Sequence, residues 1–241
     1  MYKAISVTNL TKEFVIDHNR KNVVLKNISI SADYGEFISI LGVSGSGKST
    51  LLKCISSLME PTSGEVLING KNPYKLKNNE VAKLRRRGIS FIFQSYNLVE
   101  SLPVSENIAL PLRLSNEKID ISEIEQILQM LGCQIDANAM VQNLSGGEKQ
   151  KVAIARAILS QSPIIFADEP TGALDGISRE VVFEFLKKMA KQGKCVLMVT
   201  HDIELASQTD RALILKDGNI FQEIQCPTSN QLLRALQKSQ C

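Results

Sequence analysis

The segment Gly42-Val43-Ser44-Gly45-Ser46-Gly47-Lys48-Ser49 constrains the fold of this chain more than any other. It fits the spacing G-x-x-x-x-G-K-[ST]. The apolar run Phe37-Ile38-Ser39-Ile40-Leu41 precedes it and Leu51-Leu52-Lys53-Cys54-Ile55 follows, which reads as strand, loop and helix. Small residues let backbone N–H groups curl around an anion, and a helix beginning near Lys48 turns its positive end toward the same anion. Lys48 adds a full charge for the outer phosphates of a nucleotide, and Ser49 offers a hydroxyl to Mg²⁺.

Other segments build around this unit. Val23-Val24-Leu25 and Ile28/Ile30 alternate with polar residues, and Glu65-Val66-Leu67-Ile68 runs into Asn69-Gly70, a hairpin-turn pair. In the middle third, Ser122 and Glu125 have capping-box spacing before Ile124, Ile127, Leu128 and Leu131, with Gly132 as a stop. Further on, Ile164–Ala167 and Cys195–Val199 read as buried strands, separated by an amphipathic helix over Val181–Ala190 that ends near Gly193. Alternating β and α elements imply a parallel sheet with helices on its faces. The tail Ser229–Lys238, with Leu232, Leu233 and Leu236, reads as a short amphipathic helix for packing or dimer contact.

Two more segments carry chemistry. Ile164-Ile165-Phe166-Ala167 ends in Asp168-Glu169, and open α/β sheets place their ligands beyond the carboxyl ends of strands. Asp168 fits a Mg²⁺-holding role, and Glu169 can take a proton from an attacking water. Leu144-Ser145-Gly146-Gly147-Glu148-Lys149-Gln150 opens a second helix, with Ser145 and Glu148 at capping-box spacing and two glycines exposing backbone N–H groups. One chain therefore carries two anion-binding helix starts about a hundred residues apart.

These three segments together resemble the ATP-binding-cassette ATPases, over about Val7 to Glu223. The resemblance implies an α/β fold: a P-loop NTPase core of RecA-like type, an N-terminal antiparallel β-subdomain and an inserted α-helical subdomain. It implies a single domain over 1–241, with core and β-subdomain in 1–94 and 145–241 and the helical subdomain in 95–144. It implies ATP and Mg²⁺ as ligands, and two copies meeting head to tail. Gly42–Ser49 and Thr50 of one copy would then face Ser145, Gly146, Gly147 and Glu148 of the other across each nucleotide. Gln94, after the run Ser90-Phe91-Ile92-Phe93, matches the glutamine that senses Mg²⁺ and the membrane partner. His201 matches the γ-phosphate histidine, and Asp175 lies in the loop that couples the two sites. That loop reads Ala173-Leu174-Asp175, where the family usually begins with Ser. Phe14 stands where the family stacks an aromatic ring, most often Tyr, on adenine; Tyr2 and Tyr34 are also nearby.

Leu84–Leu98, Ser105-Glu106-Asn107-Ile108 and Asp168–Asp175 resemble one branch of the family, the macrolide and peptide exporters of the MacB type. Lipoprotein-releasing, cell-division and antimicrobial-peptide-resistance ATPases share that branch. The resemblance implies a separate integral-membrane permease as partner and a peripheral place on the cytoplasmic face of the membrane. Chromosome- or repair-type cassettes interpose a very long coiled coil, whereas 49 residues lie here between Gln94 and Leu144. Ribosome-acting cassette proteins carry two cassettes per chain, and a small-molecule kinase leaves Leu144–Glu148 unexplained.

Composition sets the outer limits. The 241 residues carry 28 Lys+Arg and 25 Asp+Glu, and a net charge of +3 gives no reason to expect nucleic acid as a partner. No apolar stretch is long enough to span a bilayer, and Met1–Ser6 shows no signal-peptide core. Cys54, Cys133, Cys195, Cys226 and Cys241 form no CxxC pair and are expected as reduced thiols. Residues 71–88 hold seven Lys/Arg and one Glu, a local +6 that reads as a solvated face or as contact with anionic headgroups or a partner.

Overall fold

The computed structural model describes residues 3–17 and 20–240; Tyr2 and Cys241 lie outside them. β1 (Ile5–Asp17) and β2 (Arg20–Ala32) form a long antiparallel pair. β3 (Phe37–Gly42) leads through the Gly-rich loop into α1 (Lys48–Ile55), followed by β4 (Ser63–Ile68), α2 (Asn78–Lys83), a π-helical turn at Leu84–Gly88 and β5 (Ile89–Ile92). Residues 95–144 hold α3 (Val104–Leu114), α4 (Ile121–Met130) and a short 3-10 turn. The chain continues with α5 (Gly146–Leu159), β6 (Ile164–Asp168), α6 (Gly176–Lys191), β7 (Cys195–Val199), α7 (Ile203–Ala206), β8 (Arg211–Lys216), β9 (Asn219–Gln225) and α8 (Ser229–Gln240).

Two sheets result. One is antiparallel in the order β2-β1-β4, and the other runs β5-β6-β7-β3-β8-β9, parallel except for β9. This is the α/β fold expected above. β6 and β7 are buried on both faces, which is why they read as unbroken apolar runs. Side chains alternate across a strand. Ile164, Phe166, Cys195 and Leu197 join Leu51 and Leu52 of α1 and Ile5, Val7 and Leu10 of β1 in one core. Ile165, Ala167, Val196 and Met198 join residues of α3, α4, α5 and α6 in the other. The parallel strands β3, β5, β6 and β7 all end at the same edge of the sheet.

Local details depart from the sequence reading in four places. The cap of α4 is Asp120, whose carboxylate accepts from the Ser122 N–H at 2.9 Å, so Ser122 lies inside the first turn and Glu125 closes no capping box. α6 starts at Gly176, earlier than its apolar stripe, because Asp175 caps it through the Ser178 N–H. Asn69-Gly70 does turn the chain, but only one bridge, Ile68 to Lys71, follows it, and β4 pairs with β1 instead. In α8, Leu232, Ala235 and Leu236 pack inward while Leu233 is exposed. Gly132, by contrast, ends α4 as expected, with φ 61°.

A buried arginine ties the two sheets together. Arg211 on β8 donates from Nη1 to Glu223 Oε1 at 3.0 Å and from Nη2 to Glu36 Oε2 at 3.0 Å and to the Ser31 carbonyl of β2. Its Nε lies 2.7 Å from Glu36 Oε1, close enough for charge attraction but off the axis of a hydrogen bond. Removing one partner of such a pair strands the other charge. Arg211→Met should lower stability by about 3 kcal/mol, read as a reduced urea midpoint with an unchanged slope.

Candidate nucleotide site

The Gly-rich loop leaves β3 and enters α1 at Gly47, whose φ of 103° is open to glycine. A Cβ there would also lie 2.9 Å from Leu25 Cδ2 and 3.0 Å from the Val24 carbonyl, so β2 packs directly on the loop. No side chain caps α1 and no acid sits in its first turn. The neighbouring helices differ: α4, α5, α6 and α7 each receive a cap from Asp120, Ser145, Asp175 and Asp202. The start of α1 thus keeps unsatisfied N–H groups and an uncancelled dipole, the condition for holding an anion. Lys48 Nζ donates to the Gly42 and Val43 carbonyls at 2.8 and 3.0 Å, holding its charge at the loop. Burial lowers its pKa, and Glu169 and Asp168 pull it back up.

Ser49 Oγ donates to Asp168 Oδ1 at 3.0 Å, joining the first turn of α1 to the end of β6. Asp168 is buried, and burial raises its pKa; the Ser49 hydrogen bond, Lys53 and Lys48 oppose that rise. A hydroxyl and a carboxylate oxygen side by side are hard donors that suit Mg²⁺. Among the described residues no group of three His, Cys, Asp or Glu forms a metal cage. Mg²⁺ at nucleotide sites takes one or two protein oxygens and completes its shell with phosphates and water, so this pair fits it.

Beyond Asp168 the chain turns sharply. Glu169 has φ 49°, a left-handed conformation unusual for a residue with a side chain. Its N–H donates to the Val199 carbonyl at 3.0 Å, and its Oε2 lies 2.9 Å from His201 Nδ1. Burial raises the Glu169 pKa, while His201 and Lys48 lower it. Gln94, Glu169 and His201 line one cleft of about 340 Å³, together with Tyr96, Gln150, Gly172 and Ala173. The three expected catalytic side chains are therefore brought together by the ends of β5, β6 and β7.

The second Gly-rich helix start adopts the expected capping box. Ser145 Oγ accepts from the Glu148 N–H at 3.4 Å, and Glu148 Oε2 accepts from Ser145 N–H and Oγ at 2.8 and 2.7 Å. Those bonds hold the Glu148 carboxyl below its ordinary pKa. Gly146 and Gly147 lie beside Tyr96, Ala173 and Leu174. A Cβ on Gly146 would stand 3.0 Å from the Tyr96 hydroxyl.

Phe14 sits on β1, partly exposed, with Lys12 Nζ 5.3 Å from its ring centroid. Tyr34 is engaged elsewhere, with its hydroxyl on Asn69 Oδ1. The Asp175 carboxylate is occupied by Ser178, which lowers its pKa. In the basic run, Lys75 pairs with Glu65, Arg87 with Glu117, and Arg85 bonds to Ser57. Cys54, Cys133 and Cys195 are buried and Cys226 is exposed, all as free thiols.

Sequence reasoning missed Tyr96, Gln150 and Arg156. Arg156 donates to the Asn97 and Tyr96 carbonyls at 2.8 and 3.0 Å, and both acceptor residues have positive φ. Gln150 is 1% exposed. The 3.6-residue period places it on the same stripe as Ala153, Ile154 and Ala157, and a polar residue on a buried stripe is a readable signal.

The same arrangement recurs in known proteins. The ABC transporter family model matches residues 25–172. The ABC transporter ATP-binding protein YxdL of Bacillus subtilis is 43% identical over 203 residues, 83% of this chain and 79% of that one. The macrolide export ATP-binding/permease protein MacB of Aggregatibacter actinomycetemcomitans is 41% identical over 223 residues, and this chain spans 34% of its length. A dimeric structure of the ATP-binding cassette MJ0796, in a post-hydrolysis state bound to ADP and Pi, superposes with a TM-score of 0.87 at 39% identity, covering 92% of this chain and 98% of that one. MJ0796 is a protein of Methanocaldococcus jannaschii. With its phosphate loop, acidic strand end and Gly-rich helix start arranged as described, the chain belongs to the ABC transporter family.

Proposed function

We propose that this chain is the ATP-hydrolysing subunit of a membrane transporter, working as two head-to-tail copies. The observation that carries the reading is the meeting of Ser49, Asp168, Glu169, Gln94 and His201 at one sheet edge, beside an uncapped helix start. Residues 1–94 and 145–241 would form the core and β-subdomain, and 95–144 the helical subdomain. Lys48 and the α1 amides would bind the phosphates, with Phe14 against the base. Mg²⁺, held by Ser49 and Asp168 with Gln94 nearby, would neutralise phosphate charge when bound. Ionised Glu169 would accept a proton from the attacking water while His201 steadies its carboxylate, and the bond to the terminal phosphoryl group would break. Positioning and charge neutralisation supply most of the rate.

The dimeric structure of MJ0796 supports the pairing, in which the Ser145–Gly147 turn of one copy would meet the nucleotide of the other. The MacB relatives, in which a cassette and a permease share one chain, support a permease partner here. Among the described residues no helix is long and apolar enough to cross a membrane. A permease would hold the cassette at the cytoplasmic membrane face. Its class would be an exporter or force-transmitting permease acting on peptides, antibiotics or lipoproteins. An apolar groove of about 280 Å³, lined by Phe91, Phe93, Leu110, Pro111 and Leu114 and rimmed by Arg85 and Arg86, suits a cytoplasmic segment of such a partner. β5, which ends two residues before Gln94, contributes Ile89, Ser90 and Phe91 to its lining.

Glu169→Gln should bind ATP normally and lose turnover by about 100-fold or more, with a closed dimer persisting in ATP by size-exclusion chromatography. Lys48→Ala should weaken nucleotide binding by about tenfold or more, measured by calorimetry. The rate should rise with pH through a Glu169 pKa lying above the ordinary carboxylate range. Since His201 lowers that pKa, His201→Ala should move the rising limb to higher pH as well as slow turnover. Leu114→Asp should abolish copurification with the permease while leaving ATP affinity unchanged.

A further inference from the structure

Gln150 lies on α5 between the Ser145–Gly147 turn and the segment that carries Glu169. Its side chain is buried, lies in the wall of the cleft that holds Glu169, Gln94 and His201, and donates from Nε2 to the Pro170 carbonyl at 2.8 Å. That carbonyl can only accept, so the amide nitrogen must be the atom that faces it. Pro170 immediately follows Glu169. A left-handed backbone at a residue with a side chain costs of the order of 1 kcal/mol and persists only where its surroundings hold it. Here the holding contacts are the Glu169 N–H on Val199, the Gly172 N–H on the Glu169 carbonyl, and the Gln150 amide. The first two are backbone bonds. Gln150 reaches in from another element, the first turns of α5, which open at Ser145. A second contact runs the same way, because a Cβ on Gly147 would meet the Ala173 carbonyl at 3.5 Å.

We infer that Gln150 is a positioning residue for Glu169, through which the Ser145–Gly147 turn, seated on one nucleotide, sets the angle of the carboxylate that acts on the other. The inference rests on the head-to-tail reading above. Movement of α5 by a few tenths of an ångström would be carried by a single short, buried hydrogen bond to the residue beside Glu169. Burial keeps water from replacing that bond, since an unpaired buried carbonyl is costly.

The test is the steady-state ATPase of the full chain as Gln150→Met and Gln150→Glu, with Glu169→Gln alongside. Gln150→Met keeps the volume and loses the donor; kcat should fall at least about tenfold, with ATP KM within about twofold and one nucleotide still bound per chain. Gln150→Glu cannot donate as a carboxylate but can as a carboxylic acid. Its rate relative to wild type should therefore rise as pH is lowered from about 8.5 to 6, since burial raises a carboxyl pKa. A merely structural role would leave that ratio flat, and the ratio remains readable where the methionine variant does not fold. Wild-type kcat in Gln150→Met, or a flat ratio in Gln150→Glu, overturns the inference. If Glu169→Gln itself keeps its turnover, the underlying reading of the site fails instead.

Discussion

The site depends on the pairing of β7 with both of its neighbours. β7 lies between β3 and β6 in parallel register, Ile40 opposite Val199 on one side and Val199 opposite Asp168 on the other. Parallel pairing puts the carboxyl ends of all three strands at one edge, and the strand-to-loop transitions at Gly42, Asp168 and Val199 therefore face each other. The hydrogen bond from Ser49 to Asp168 and the contact from Glu169 to His201 follow from that register. A one-residue slip would send each of these side chains to the opposite face of the sheet. Burial of β6 and β7 on both faces, by two separate apolar cores, fixes the register against such a slip.

The same burial sets the electrostatics. Asp168 and Glu169 end a strand that is apolar throughout, and desolvation raises both pKa values. Lys48, drawn in with them, is pushed the other way. Lys48 offsets part of the burial effect on both carboxyls and they offset part of its own, while Asp168 adds to the rise at Glu169. The triad Lys48, Asp168 and Glu169 is thus poised among charges that a phosphate and a divalent cation would rebalance, an arrangement of the kind that marks functional sites. Structural ion pairs elsewhere, such as Arg211 with Glu36 and Glu223, satisfy each other instead.

The core and most of the site could be read from the sequence because their signals are local. A strand buried on both faces is a run such as Ile164–Ala167, and a phosphate loop is eight consecutive residues whose types follow from backbone geometry. The parts that could not be read depend on contacts between distant elements. Asp120 replaced Ser122 as a cap because the cap is decided by where the chain enters the helix, and capping-box spacing two residues later looks the same on paper. Arg156 and Gln150 act on carbonyls 59 and 20 residues away, at Asn97 and Pro170. Arg156 belongs to no motif, Gln150 merely closes the Leu144–Gln150 segment, and only the helical stripe of α5 hints that Gln150 points inward. Phe14 lies on an exposed stretch of β1 beside Val15 and Ile16, and Tyr34 is exposed nearby in sequence, so spacing alone does not single it out.

The two Gly-rich helix starts, alike in composition, differ in one physical respect that separates their roles. α1 leaves its N-terminal amides without a side-chain cap, whereas α5 closes its own with Ser145 and Glu148. An anion at α1 meets free donors and the Lys48 charge. An anion at α5 meets a start whose acid already stabilises the helix dipole and holds the Ser145 hydroxyl, so what remains on offer is the glycine amides. A start of that kind binds weakly alone and adds to a phosphate already held elsewhere. That division fits a chain whose phosphate loop captures a nucleotide first and whose α5 then closes on the nucleotide of a second copy. Association of the copies would then follow nucleotide binding, and release of phosphate would remove the ligand that α5 shares with its partner.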